Sequence, residues 1–202
     1  MNLHQINSIP VSIPHPTTVS TFRLQSLKSR TCLNPTSQDC RNFSPAVIGI
    51  PGVLYNVPSR TALNMDAATT LRLAQVPNIV GVKEASSDAD QIAYVIKDSP
   101  DGFRVWSGND NETFATMATG GYGIVSVAGN IISGQVQKMM GLLLEGDVEA
   151  AAAEHLRLLP IFNALFIITN PIPVRYAINR SGFDVGPARL PMIPESAELE
   201  SF

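Results

Sequence analysis

The sequence predicts an α/β fold in which a parallel sheet is covered by helices, and three observations carry that reading. From Ile50 onward, short apolar runs alternate with stretches of helical period. The runs are rich in Val and Ile and are bounded by Gly, Pro, Asn or Ser, as buried parallel strands are. Beyond about Ser133 the pattern turns wholly helical.

Val53-Leu54-Tyr55-Asn56-Val57 reads as the first strand, ended by Pro58, which has no N–H to give a ladder. Asp66 to Ala74 reads as a helix with Asp66 as its N-cap and with Leu71 and Ala74 on one face. Ile79 to Lys83 is the second strand and Ala89 to Lys97 the second helix. Phe103 to Trp106 is the third strand, followed by the loop Ser107 to Asp110 and a helix through Met117. Gly123 to Val127 is expected as a fourth strand and Ser133 to Leu144 as the helix after it. Asp147 to Leu159 is Ala- and Glu-rich, Ile161 to Ile168 is apolar beyond Pro160, and Pro173 to Arg180 is a short helix. Asn170-Pro171-Ile172-Pro173 reads as a rigid turn between helices, and the stretch from Gly186 as irregular.

Composition narrows the function. The chain has 202 residues, 45% of them hydrophobic, enough for one domain with a sizeable core. Its 14 Lys and Arg against 17 Asp and Glu give a net charge of −3, and no basic cluster points to nucleic acid. No membrane span is expected, because the apolar stretch Leu156 to Ile168 is broken by Arg157, Pro160 and Asn163. Cys32 and Cys40 match no metal motif; a disulfide between them is compatible with their spacing, although nothing else suggests secretion.

Residues 1–45 stand apart. They are rich in Ser, Thr, Asn and Pro, and carry Arg23, Lys28, Arg30 and Arg41 against the single acid Asp39. That composition fits an organelle transit peptide, and equally a disordered leader or unrelated sequence. The expected organisation is therefore a leader over 1–45, the folded unit over 46–194 and a tail over 195–202.

The chemistry is sought at the strand ends, because the C-terminal tips of parallel strands share one face. Those tips bring Tyr55 and Asn56, then Lys83 and Glu84 in the run GVKEAS, then Ser107 to Asp110, then Ser126 to Asn130. A lysine in apolar surroundings loses hydration of its charged form, and its neutral amine becomes a nucleophile toward a carbonyl. Tyr55 could relay protons, and Arg60, just beyond it, could hold a carboxylate, a set suited to an α-keto acid. The plainer readings are a strand-end lysine reaching solvent, a half-buried strand tyrosine and a solvated loop arginine. Gly120, Gly121 and Gly123 precede a strand rather than open a helix, so they read as turn glycines and not as a phosphate loop.

Five segments occur in one order: YNVPSRT (Tyr55 to Thr61), GVKEASSD (Gly81 to Asp88), SGND (Ser107 to Asp110), GGYGIVSVAGN (Gly120 to Asn130) and NPIPVRYA (Asn170 to Ala177). In sequence and spacing this resembles the C-terminal half of the 4-hydroxy-tetrahydrodipicolinate synthase (dihydrodipicolinate synthase) family, from about Ile50 to Pro194. The resemblance implies a (β/α)₈ TIM-barrel fold, N-terminally truncated to about strands 5–8 plus C-terminal helices. It implies a class I aldolase-type lyase condensing pyruvate with aspartate semialdehyde on the diaminopimelate route to lysine. No cofactor is implied beyond a Schiff base on Lys83. Tyr55 would relay protons, Arg60 would help bind the aspartate semialdehyde carboxylate, and the backbone of Val125 would line the pyruvate pocket. The family is homotetrameric, and a cytoplasmic location is expected, or a plastid one if residues 1–45 are a transit peptide. The arginine within YNVPSRT favours the synthase over N-acetylneuraminate lyases and sugar-acid aldolases that share the lysine. The family's Gly-Thr-Thr-Gly-Glu motif, which binds the pyruvate carboxylate and orients the strand tyrosine, does not occur in this sequence. An inactive fragment serving only as an interaction module is the remaining expectation.

Overall fold

The computed structural model describes residues 51–192. The expected leader over 1–45, the Cys32–Cys40 pair and the tail over 195–202 lie outside the described residues. Four parallel strands form one sheet in chain order: β1 (Gly52–Asn56), β2 (Ile79–Glu84), β3 (Arg104–Ser107) and β4 (Gly123–Ile124). After β1 come the single turn α1 (Pro58–Thr61) and α2 (Ala67–Leu73); after β2 comes α3 (Ala89–Asp98). A 3₁₀ turn (Asp110–Glu112) and α4 (Thr113–Ala118) follow β3. Three helices follow β4: α5 (Gly129–Leu144), α6 (Val148–Ala164) and α7 (Ile172–Arg180).

Local chemistry accounts for most of these boundaries. The Asp66 carboxylate accepts from the Thr69 N–H at 2.7 Å, Asp88 from Gln91 at 2.9 Å, and Asp147 from Ala150 at 3.0 Å. Each satisfies a donor that the first helical turn leaves open. The covered face of α2 is set by Thr70 and Ala74, one turn apart, while Leu71 is only half-buried. Leu71 and Ala74, expected on one face, are three apart, and of the two only Ala74 is fully covered.

Two apolar clusters hold the elements. Leu54, Val82 and Val105 on the sheet pack against Ile92 and Val95 of α3. Val136 and Met139 of α5, Leu158 and Phe162 of α6, and Val174 of α7 form the other cluster. The second cluster explains why α6 runs through Pro160, where the sequence suggested a break. A helix-interior proline costs about 3 kcal/mol, and burying Leu158, Phe162 and Leu165 at about 1.5–3 kcal/mol each outweighs it.

The expected fourth strand is cut short. The Val125 N–H still donates to the Ser107 carbonyl at 3.0 Å, but the N–H groups of Val127 and Ala128 turn to the Asp110 carboxylate. Those donors are lost to the ladder, so β4 ends before Val127. A first turn begins at Gly129, non-helical backbone follows at Ile132, and the regular helix resumes at the expected Ser133.

Candidate active site

The register of the sheet fixes the site. Tyr55 of β1 lies beside Lys83 of β2, which lies beside Trp106 of β3, which lies beside Gly123 of β4. One residue on, the row is Asn56, Glu84, Ser107 and Ile124. Successive side chains on a strand point to opposite faces, so the two rows occupy opposite faces of the sheet. Tyr55, Lys83 and Trp106 are half-buried, whereas Asn56, Glu84 and Ser107 are buried against the helices.

On the first face the Lys83 Nζ lies 4.3 Å from the centroid of the Tyr55 ring, over its face. The ring quadrupole attracts the amine when it is charged. Trp106 meets Tyr122 edge to face, with centroids 5.5 Å apart, and the Arg104 guanidinium lies 4.9 Å from the Tyr122 ring centre. Gly81, one step below Lys83 on this face, is demanded by the neighbouring strand. A Cβ there would fall 2.2 Å from the Arg104 carbonyl oxygen and 2.4 Å from Trp106 Cζ3.

The second face is a polar network that holds the strand ends. Asn56 Nδ2 donates to both Glu84 oxygens, at 2.9 and 3.2 Å, and Gln91 Nε2 donates to Glu84 Oε2 at 3.3 Å. The Ser86 N–H donates to Glu84 Oε1 at 2.8 Å. Asn56 also accepts from the Met65 N–H at 3.0 Å. Every one of Glu84's partners donates, so its carboxylate is used as an acceptor at both oxygens.

Above the strand ends the backbone ladder continues by one residue at each crossing. Ala85 donates to the Asn56 carbonyl, Gly108 to that of Glu84 and Val125 to that of Ser107. Asp110, 1% exposed, accepts from the Val127 N–H at 3.0 Å, the Ala128 N–H at 3.2 Å and the Ser126 hydroxyl. The Gly129 N–H in turn donates to Ser126 Oγ at 2.7 Å. Val125 is thus held between a ladder bond and a carboxylate-pinned loop.

Of the four residues singled out from sequence, Tyr55 and Lys83 are brought into contact. Val125 is one ladder bond beyond the third strand's tip. Arg60 is exposed on α1, and its Nη2 donates to the Asn170 carbonyl at 3.2 Å, tying the end of β1 to the turn before α7. Glu84 and Asp110 are placed at strand tips by the sequence, but their burial and partners are not legible there. Asp110 is flagged only by its place in SGND, an acid between a strand and a helix. A groove of about 270 Å³ lined by Asn109, Asn111, Phe162, Asn163 and Phe166 opens beside the β3 loop, and not over Lys83. Among the described residues there is no cluster of His, Cys, Asp and Glu arranged to hold a metal ion, and no helix long and apolar enough to cross a membrane.

A sequence model of the dihydrodipicolinate synthetase family matches residues 37–201. The chain is 49% identical over 154 residues to a 4-hydroxy-tetrahydrodipicolinate synthase of Symbiobacterium thermophilum, which covers 76% of this chain and 52% of that protein. A dihydrodipicolinate synthase of Cyanidioschyzon merolae, crystallised with lysine bound, superimposes with a TM-score of 0.77 at 38% identity, covering 80% of this chain and 55% of the other. The enzyme of Acinetobacter baumannii, crystallised in complex with pyruvate, gives 0.71 at 33% identity, with 75% and 52% covered. The chain spans about half the length of the curated relatives it matches. The fold is α/β, of the (β/α)₈ barrel family, with the four described strands making part of such a barrel. The chain therefore belongs to the dihydrodipicolinate synthetase family.

Proposed function

We propose that this chain carries the imine-forming half of a 4-hydroxy-tetrahydrodipicolinate synthase, a lyase that condenses pyruvate with aspartate semialdehyde. The observation that carries the reading is the Lys83 amine held 4.3 Å from the centre of the Tyr55 ring at the C-terminal end of a parallel sheet. The neutral Nζ attacks the keto carbon of pyruvate, and the carbonyl oxygen takes up a proton as its π electrons move to it. The nitrogen gives up a proton to complete the carbinolamine, whose hydroxyl takes up a second proton and leaves as water, and the protonated imine remains on Lys83. The Tyr55 hydroxyl serves as the proton relay. Loss of a methyl proton then yields the enamine, whose carbon attacks the aldehyde as the aldehyde oxygen takes up a proton and the protonated imine on Lys83 is restored. The Arg60 guanidinium, with donors beyond the one given to Asn170, binds the carboxylate of the second substrate. The Val125 backbone lines the pyruvate side, kept in place by Ser107 and Asp110.

The test is reductive trapping. The folded full chain is incubated with pyruvate and borohydride and digested, and the peptides are weighed. The expected result is a pyruvyl mass on the peptide bearing Lys83, absent from Lys83→Ala. An adduct that survives in Lys83→Ala, or no adduct on a soluble and folded sample, overturns the reading. Turnover with aspartate semialdehyde, but not with an aldose, separates the synthase from a sugar-acid aldolase.

A further inference from the structure

Glu84 is adjacent in sequence to the lysine but faces the other way, and it is the one carboxylate among the described residues with 0% exposure. An acid in that position needs a reason, because removing a carboxylate from water is costly unless its oxygens are fully engaged. Its partners come from three places. Asn56 is the last residue of β1, Ser86 opens the loop after β2, and Gln91 sits in the first turn of α3. Asn56 and Gln91 also bond the segment between α1 and α2: Asn56 Nδ2 and Gln91 Nε2 both donate to the Met65 carbonyl at 3.2 Å. Asn64 Nδ2 donates to Gln91 Oε1 at 2.8 Å.

The network therefore clamps β1 to β2 at their tips from the helix side, one residue beyond the Tyr55–Lys83 pair on the other side. A shift of either tip would move Tyr55 against Lys83, since backbone displacement on one face of a strand is shared by the other. We propose that Glu84 is a positioning residue: its buried carboxylate fixes the relative placement of the Tyr55 ring and the Lys83 amine across the sheet. The catalytic consequence rests on the roles given above to those two residues, whereas the geometric claim does not.

Glu84→Gln tests it with little change of volume. One oxygen becomes an NH₂ group, which must face either the Ser86 N–H or the Gln91 amide, so one donor pair is set against itself whichever way the amide turns. Two readouts are taken on the full chain. The first needs no chemistry: the Lys83 Cε proton resonances feel the ring current of Tyr55, and Tyr55→Leu defines their position without it. Glu84→Gln is expected to move them a substantial part of the way toward the Tyr55→Leu value. The second is the rate of pyruvate trapping, expected to fall about tenfold or more, as misplacement of reacting groups by fractions of an ångström does. In a Tyr55→Leu background the same change is expected to slow trapping by less than about threefold, because the alignment it perturbs is already gone. A merely structural Glu84 would leave the two effects multiplicative. Should Glu84→Gln not fold, Gln91→Met removes a single donor and is expected to shift the Lys83 resonances in the same direction by less. Wild-type Lys83 resonances in a folded Glu84→Gln, or failing that in Gln91→Met, overturn the proposal, as do multiplicative trapping effects. A chain that shows the resonance coupling but traps no pyruvate supports the positioning role and refutes the proposed function instead.

Discussion

Asp110 offers the sharpest test of how the strand tips are held. Its carboxylate is almost wholly buried and accepts from the N–H groups of Val127 and Ala128 and from the Ser126 hydroxyl. Ala128 is fully buried, so its N–H has no water to turn to once the carboxylate is gone. A buried donor left unpaired costs about 1–3 kcal/mol, and a hydrogen bond to a charged group contributes about 1.5–3 kcal/mol. Val127 is half-buried and recovers part of its loss from water. Asp110→Ala is therefore expected to destabilise the fold by about 3–5 kcal/mol. Asp110→Asn behaves differently, because the amide oxygen can face both backbone N–H groups while the NH₂ donates to Ser126 Oγ. That leaves the loss of charge and of the acceptor for the half-buried Ser126 O–H, which water can partly replace, about 1–2 kcal/mol in all.

Urea unfolding of the three proteins, followed by far-UV circular dichroism, measures the difference. With a slope of roughly 1–3 kcal/mol per molar, Asp110→Ala should lower the midpoint by more than about 1 M at unchanged slope, and Asp110→Asn by clearly less. An alanine variant within about 1 kcal/mol of the parent, or an asparagine variant as unstable as the alanine one, would refute the assignment of Asp110 as acceptor for the loop.

Three further outcomes follow from the geometry. Gly81→Ala sets a Cβ against the Arg104 carbonyl oxygen, which is backbone and cannot swing aside, so it should cost about 1–3 kcal/mol by urea unfolding even though glycine-to-alanine changes often stabilise. Asp66→Ala should cost about 1 kcal/mol, with Asp66→Asn recovering most of it, because the cap needs only an oxygen facing the Thr69 N–H. Burial between the Phe114 and Phe162 rings holds the His155 imidazole below its ordinary value of 6.5. The unfolded chain then binds the His155 proton at a pH where the fold does not. Stability from this group is complete above about pH 6.5 and declines as pH falls toward the lowered folded value. His155→Gln should flatten the urea midpoint between about pH 5 and 7, and an unaltered pH profile would argue against a buried neutral imidazole.

The sequence could show some of this and not the rest, for identifiable reasons. β1, β2 and β3 announce themselves as short β-branched runs stopped by Pro58, Ala85-Ser86 and Gly108, and the Asp66 cap is a local signal within three residues of its partner. Tyr55 and Lys83 could be assigned to tips but not to each other, because strand register is set by pairing over 28 positions. Glu84 looks like any charge at a strand end; its burial depends on Asn56 and Gln91, supplied by another strand and a later helix. The Arg60 contact spans 110 positions and has no local trace. Gly-Ile-Val-Ser-Val has strand composition throughout and predicts a longer β4 than forms, because the competing acceptor, Asp110, lies well upstream.

Alternation along the strands explains why Glu84 sits where it does. A side chain that must reach a substrate at the sheet tip occupies one parity, and the next residue necessarily faces the helices. An apolar residue there would pack well, as Val82 and Val105 do two residues earlier on their strands, but it could not capture the donors released where the ladder ends. Each strand tip frees backbone N–H groups as the chain turns into its loop, and buried donors need acceptors. Glu84 collects Ser86 after β2, and Asp110 collects Val127 and Ala128 after β4. Two carboxylates thus replace the missing ladder at two of the four tips, and one of them, Glu84, directly follows Lys83 in sequence. On this view, restoring a neutral acceptor should preserve more of the fold than restoring volume alone. The Asp110→Asn and Asp110→Ala pair measures that difference directly at one tip, and Glu84→Gln against Glu84→Leu measures it at the other. A leucine that matches the glutamine in stability at position 84 would mean that packing, and not donor capture, holds the β1–β2 tip.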